Sequence, residues 1–443
     1  MRIKSITIGG YKNIKETTIE LNGITAIVSL NNYGKSNLLE AIDFGTDYLS
    51  ANSKERTSMM RWTRGIPINK HIDNDEYIFS VEFASPELKE YQFVRYGFKF
   101  KWYRDDGTGE RITDEWIEAR PSESVRYTSY LKRKAGKYRK EKNTLAFRNI
   151  NLSDNQLAID VLSAIDDIEI HPIISSIKSL DYHICSSLDL RDRFSSVPIE
   201  YISHKEDDSI DFDDKDVPRA LFQLQEKYPD KFNMFLDSVY TLFPEFENVA
   251  VLPYELRKDA ANIQIITSDS SGNVTSNEAS DNIPFRIRDE LYKVIITSSD
   301  LNQPIDMMMM STGTKRIIWL LANIYIASSN NMCLVGVEEL ETSIHPRLMK
   351  SLLEILNDAL SNSTSMIVSS HSPYLVQYLK PEKIYVGVPT DDGTAVFRKV
   401  RTNRVKHLIA SARNVDLSVG EYLFDLMSGD SDAIDTLSFF LEN

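Results

Sequence analysis

Cysteine is almost missing from this chain: Cys185 and Cys333 are the only two in 443 residues. They have no metal-site spacing and imply no disulfide framework, so a reducing compartment is the default expectation. No apolar run approaches the roughly 18 residues that a membrane span needs. The N-terminus, Met1-Arg2-Ile3-Lys4-Ser5-Ile6-Thr7-Ile8, alternates like a strand and has no signal-peptide core. A soluble, cytoplasmic protein with no membrane partner is expected. Fixed-period repeats and sustained heptads are also missing, which argues against a solenoid and against a long coiled-coil arm. Positive charge is in deficit, with 51 Lys and Arg against 65 Asp and Glu and a net charge of −14. That balance speaks against wholesale coating of nucleic acid, although a local basic groove would respond to its own field. What remains is ordinary for a globular protein: 42% hydrophobic and 26% charged residues. The length suits two or three domains, or one large domain with insertions.

Two segments nearly three hundred residues apart stand out against this background. The first is Ser29-Leu30-Asn31-Asn32-Tyr33-Gly34-Lys35-Ser36-Asn37, which follows the apolar run Ile24–Val28 and opens the helical stretch Leu38–Ile42. Strand, loop and helix in that order are what a phosphate-cradling loop requires. Backbone N–H groups of Asn31, Asn32, Gly34 and Asn37 and the helix N-terminus can point at phosphate oxygens, with Lys35 as a point charge and Ser36 on Mg²⁺. Ser29 stands where such loops usually have their first glycine, so the loop is either slightly strained or holds the serine in an ordinary conformation. The second segment is Val337-Glu338-Glu339-Leu340-Glu341-Thr342-Ser343-Ile344-His345-Pro346, immediately after the apolar strand Cys333–Val337. Paired carboxylates at a strand end suit a metal-and-water site. His345 reads as a packing or capping residue for the helix that follows.

Around these motifs the chain reads as an α/β fold with a mainly parallel central sheet, an antiparallel meander and a mixed α/β insertion. Residues 1–119 form its first half, with period-two strands at Tyr77–Phe83 and Tyr96–Tyr103 and a hairpin turn at Asp105–Gly109. Residues 120–289 are read as an insertion. It contains the basic cluster Lys132–Lys140, with Tyr130 and Tyr138, and the acidic run Glu206–Asp214 as an exposed loop. Its helical pattern over Val217–Phe243 is split at Pro229. Residues 290–400 resume strand–helix alternation, with strands at Tyr292–Ile296, Met332–Val337 and Ser365–Ser369 and helices at Gly313–Ala327 and Pro346–Leu360. Residues 401–443 are a C-terminal helical docking segment, its apolar positions lying in Leu417–Phe440.

Three further elements complete an ordered set. Met310-Ser311-Thr312-Gly313-Thr314-Lys315-Arg316 resembles the ABC-type signature, leucine-serine-any-glycine. After the acidic strand comes Ile367-Val368-Ser369-Ser370-His371-Ser372-Pro373. The opening Ile8-Gly9-Gly10-Tyr11-Lys12-Asn13-Ile14 looks like a first strand with an aromatic-basic turn. Their order resembles the ABC-type P-loop ATPase heads of the RecF and overcoming-lysogenization-defect type, found as AAA_15 and AAA_21 domains. The likeness is close over about 1–45 and 290–390 and in outline between them.

The resemblance implies ATP and Mg²⁺ as ligands. Lys12, Asn31, Asn32, Gly34, Lys35, Ser36 and Asn37 would hold nucleotide, and Ser36 and Glu338 would hold the metal. Glu338 stands in the usual aspartate position. Glu339 would polarise the attacking water, and His371 would be the switch histidine. Ser311, Gly313 and Thr314 would bind the nucleotide of a facing subunit, making an ATP-sandwiched homodimer that can assemble further. The longer Glu338, and Leu340 in place of a proline, imply slow turnover. Only about 40 residues follow the strand pair Lys383–Val388 and Thr394–Val400, fewer than an ordinary domain, so no nuclease is expected in this chain. It resembles the stand-alone ATPases of anti-phage modules such as PARIS and Septu, whose effector nuclease is encoded separately. The alternatives are a RecF-like DNA repair ATPase, with Lys132–Lys140 on nucleic acid, and a scaffold that binds nucleotide without turnover.

Overall fold

A computed structural model describes all residues except 62–64, 73–75, 135–136, 140–147, 150–151, 164–169, 186–192, 198, 202–209, 211–215, 256–263, 269–273, 279–284, 288–289, 361–362, 389, 391 and 443. Nearly all of the acidic run Glu206–Asp214, and three residues of the Lys132–Lys140 cluster, lie outside the described residues. The chain divides into two compact units, Met1–Leu188 with Asn331–Asn443, and Asp189–Asn330.

In the first unit, alternation of apolar and polar residues builds an antiparallel sheet, because side chains on a strand point to opposite faces by turns. Strand Arg2–Gly9 pairs with Thr17–Glu20 on one side and Glu76–Ala84 on the other. The ladder continues through Phe93–Lys101, Arg111–Arg120 and Thr128–Lys134. It then takes in Lys137–Arg139 and Arg148–Asn149. The sheet therefore runs straight through residue 120, where the sequence pattern placed the start of an insertion. The hydrogen-bond ladder carries on beneath a surface whose basic composition suggested a new segment. Arg133 and Tyr130 of that segment are buried. Arg133 lies beside the buried Glu115 carboxylate at 3.8 Å, and Tyr130 packs edge-on against Tyr91. Neither is available to stack on or neutralise a nucleic acid.

A second sheet in this unit has the strand order Tyr182–Cys185, Leu334–Val337, Ser365–Ser370, Ile24–Val28, Ile384–Val388, Val396–Lys399. All of its pairs are parallel except the last. Its central strands are buried along their whole length, which explains why they read as unbroken apolar runs. The P-loop helix, Lys35–Ser50, packs on the aromatic face of the antiparallel sheet. Tyr48 stacks on Phe100 and Phe98 with ring centroids 4.7 and 5.0 Å apart. The Tyr77 hydroxyl donates to the Ala41 carbonyl at 2.7 Å. Gly45 makes the closest approach: a Cβ there would run into Phe79 and the Tyr77 hydroxyl. Three helices, Val405–Asn414, Val419–Ser428 and Ser431–Phe440, close the C-terminal segment.

The second unit holds helices Val217–Lys227 and Pro229–Leu242, parted at Pro229 as the pattern predicts. Helix Thr312–Ser329 packs against them, its Tyr325 hydroxyl 2.7 Å from Ser238 Oγ. The apolar strand around Tyr292–Ile296 spans Glu290–Ser298 and pairs antiparallel with Phe246–Glu255 and Ile305–Asp306. Its expected place in the parallel sheet is thus corrected. An alternating strand declares its buried face but not its partner or their relative direction. Among the described residues, no helix is long and apolar enough to cross a membrane.

Because the P-loop helix sits on its sheet at Gly45, Gly45→Ala should force the two apart. We expect a stability loss of about 1–3 kcal/mol from overpacking, read as a lower urea midpoint, together with weaker nucleotide binding. An unchanged midpoint would show that the helix can shift freely.

Candidate functional site

Strand Leu334–Val337 pairs in parallel with Ser365–Ser370, which pairs in parallel with Ile24–Val28. The three motifs follow directly from the C-terminal ends of these neighbouring strands and so open on one edge of the sheet. That edge is the usual ligand crevice of parallel α/β sheets.

The loop after Val28 turns on left-handed residues, Asn32 at φ 61° and Gly34 at φ 106°. Asparagine tolerates that region, and glycine enters it without a steric penalty. Ser29 is not one of the positive-φ residues; it is buried, and its hydroxyl donates to the Leu30 carbonyl at 3.1 Å. The serine therefore sits in an ordinary conformation, and the missing glycine introduces no backbone strain. Lys35 is buried, with Nζ donating to the carbonyls of Ser29 at 3.0 Å and Leu30 at 3.1 Å. Burial pushes its pKa below the usual lysine range, while the nearby Glu339, Glu341 and Glu338 oppose that shift. Asn31, Asn32 and Ser36 are exposed at the loop surface.

Ser36 donates its hydroxyl hydrogen bond to the Glu338 carboxylate. Two hard oxygen donors from separate strand ends thus converge, as a Mg²⁺ held mainly by water and phosphate oxygens would need. Among the described residues, no group of three or more His, Cys, Asp or Glu forms a metal cluster. Lys12 lies in the Tyr11–Ile14 turn at φ 49° and pairs with Glu40 on the P-loop helix. Asn37 donates to Asn13 of the same turn at 2.8 Å. The aromatic-basic turn and the start of the P-loop helix are therefore tied together.

Glu339 takes a left-handed φ of 46°, uncommon for a side chain of this kind and typical of functional turns. Its N–H donates to Ser369 Oγ at 3.0 Å, and its carboxylate accepts from the Thr342 hydroxyl at 3.0 Å. Leu340 donates its N–H to the Ser369 carbonyl at 3.4 Å, a bond that a proline at this position could not make. His371 Nδ1 lies 3.6 Å from Glu339 and 3.4 Å from Glu341. Sequence reasoning passed over Glu341. The available signal was a third acid two residues after Glu339 on the same turn, but nothing local distinguishes a structural acid from a solvated one. His345 caps the helix Pro346–Ala359, its Nδ1 accepting from the Arg347 N–H at 3.2 Å, as the capping reading expects.

Lys12, Gly34, Lys35, Ser36, Asn37, Glu338, Glu339 and His371 thus all belong to the first unit. Ser311, Gly313 and Thr314 belong to the second. There Ser311 caps helix Thr312–Ser329, accepting from the Thr314 N–H at 3.2 Å.

Known proteins resemble this chain in family and in fold. The AAA_21 family model, described as "AAA domain, putative AbiEii toxin, Type IV TA system", matches residues 24–377. No curated protein matches the sequence. Among solved structures, an SMC head bound to the C-winged helix domain of ScpA matches with a TM-score of 0.52 and 14% identity, covering 92% of this chain and 100% of its own. That likeness shows a shared fold. An SMC head domain from Thermotoga maritima matches at 0.42, with 11% identity over 91% of this chain and 100% of its own. A head with an extended coiled coil, bound to the C-terminal domain of ScpA derived from Pyrococcus furiosus, matches at 0.46, with 12% identity over 93% and 99%.

The contact between Ser36 and Glu338 means that the backbone spacing already suits a glutamate. Glu338→Asp would withdraw the carboxylate by about 1.5 Å, one C–C bond. We expect weaker Mg²⁺ dependence of nucleotide binding and lower turnover, measured by metal titration. Faster hydrolysis in the aspartate variant would show instead that the extra methylene spoils the site.

Proposed function

The chain belongs to the AAA_21 family of AAA domains, whose model spans well over half of it, and from that premise we propose that it is a slow ABC-type ATPase that controls a separately encoded effector in a prokaryotic anti-phage defence module. The observation that carries the ATPase reading is the meeting of Lys35, Ser36, Glu338, Glu339 and His371 at adjacent parallel strand ends. In this reading, Lys35 and the loop N–H groups neutralise the phosphates of ATP. Ser36 and Glu338 hold Mg²⁺, which when bound screens the phosphate charge from the three nearby carboxylates. Glu339 accepts hydrogen bonding from the attacking water, and His371 turns to the γ-phosphate. Positioning and charge stabilisation then supply most of the rate, as phosphoryl transfer demands little covalent chemistry of the protein.

Ser311, Gly313 and Thr314, at the N-terminus of an 18-residue helix, contribute to the site of a facing subunit. ATP thereby holds two heads together, and higher homo-oligomers build on that dimer. What supports the defence role is the resemblance to stand-alone defence ATPases, together with a family description that names a toxin–antitoxin system. The effector is then a nuclease encoded beside this chain.

Lys35→Ala should weaken ATP binding about 10–100-fold, the value of a charge-assisted contact. Glu339→Gln should keep ATP and lose about 10²–10⁴-fold in turnover, as when a general base is removed. Calorimetry and phosphate release separate the two effects, and unchanged turnover in Glu339→Gln would remove that residue from catalysis. In the same variant, ATP should drive dimers visible by sedimentation, and Ser311→Arg should abolish them. Coexpression with the neighbouring gene product, followed by phage challenge, tests the module. Full protection by this chain alone, with no partner recovered, would overturn the regulatory reading.

A further inference from the structure

Glu341 has no assigned role, yet it carries more of the link between two site-forming turns than any other side chain there. A single carboxylate oxygen, Oε1, accepts from Ser370 Oγ at 2.9 Å and from the His371 N–H at 2.9 Å. The same oxygen faces His371 Nδ1 at 3.4 Å. Its side chain is only 10% exposed, and the other oxygen, Oε2, is buried without a hydrogen-bond partner. A charged carboxylate is rarely held this way without a function that needs it, because an unsatisfied buried oxygen carries a desolvation penalty.

The rest of the connection is backbone. Glu339 and Leu340 donate their N–H groups to Ser369, so residues 339–341 are bonded in sequence to residues 369–371. Two members of this series face the imidazole, and Glu341, at 3.4 Å from Nδ1 against 3.6 Å for Glu339, is the one that also accepts from the His371 backbone. Two carboxylates face Nδ1, which leaves Nε2 on the side of the ring away from them, the nitrogen that can turn to a ligand. Orientation of a histidine by a carboxylate behind it is the same device that fixes metal-ligating and catalytic imidazoles.

We infer that Glu341 is a positioning residue that orients His371 and locks the switch turn to the acidic turn, so that the histidine and Glu339 meet the nucleotide as one rigid unit. This rests on the ATPase reading for its consequence in turnover, but not for its consequence in the nucleotide-free protein. Glu341→Gln keeps an acceptor for the Ser370 hydroxyl and the His371 N–H and removes only the charge behind the ring. It should lower kcat about tenfold with nucleotide Kd and KM within twofold of wild type. In a His371→Ala background the same substitution should have no further effect, since residues acting through one another are non-additive. A full tenfold loss in that background, or a matching loss of nucleotide affinity, would overturn the assignment. Glu341→Ala removes the hydrogen bonds as well. In the nucleotide-free chain, hydrogen exchange of the peptide containing His371 should then accelerate at least tenfold, with the Ile24–Val28 strand unchanged. Equal exchange in both variants and wild type would overturn the locking role whether or not ATP is hydrolysed. Absence of turnover in the wild type would instead count against the ATPase reading alone.

Discussion

The parallel pairing of Ile24–Val28 with Ser365–Ser370, and of that strand with Leu334–Val337, is the constraint on which the rest of the first unit depends. Segments more than three hundred residues apart in sequence become neighbours in one sheet. Parallel strands share a direction, so all three motifs leave the sheet at the same edge. The register is held by burial on both faces: a slip would not expose an apolar face, as in an antiparallel sheet with one wet side, but would displace Glu338, His371 and Lys35 from one another along the strand axis by about 3.3 Å per residue. The aromatic layer under the P-loop helix adds the second restraint. Phe44 and Tyr48 fix the helix against Phe98 and Phe100, and the close approach at Gly45 leaves it no freedom to lift.

Charge makes the site responsive to a ligand. Lys35 is buried among three carboxylates, and its Nζ is folded back onto the carbonyls of its own loop. That arrangement satisfies the cation locally while leaving the surrounding field negative. A polyphosphate would be repelled by such a field unless it arrived with a divalent cation, and the Ser36–Glu338 pair places oxygen donors for one beside the loop. The same acids hold the switch turn, since Glu341 reaches both the backbone and the ring of His371. In the proposed ATPase, binding and conformational response would therefore draw on one cluster of side chains.

Departures from the family pattern are resolved by local structure. Ser29 uses its hydroxyl on the neighbouring carbonyl and keeps an ordinary backbone conformation. Leu340 supplies an N–H that proline would lack, and spends it on Ser369. Glu338 reaches Ser36 without assistance from a shorter side chain. Each substitution is read differently in isolation than in the company of the strand beside it.

Much of this protein was determined by its sequence alone. The P-loop, the acidic strand end, the helix break at Pro229 and the helix start at Pro346 follow from short-range chemistry: torsional preference, capping and hydrophobic periodicity act within a few residues. The division of the sheets was decided only by tertiary structure. Residues 290–298 alternate as a strand should, but their pairing with Phe246–Glu255 depends on a partner some forty residues away. Arg133 reads in sequence as part of a basic cluster and is buried beside Glu115, because its face of the strand points inward. Glu341 was one acid among three until the fold brought Ser370 and His371 to its carboxylate. Local propensity acts along the chain, whereas a buried charge finds its partner across it, and that distance is set by the packing of the whole unit.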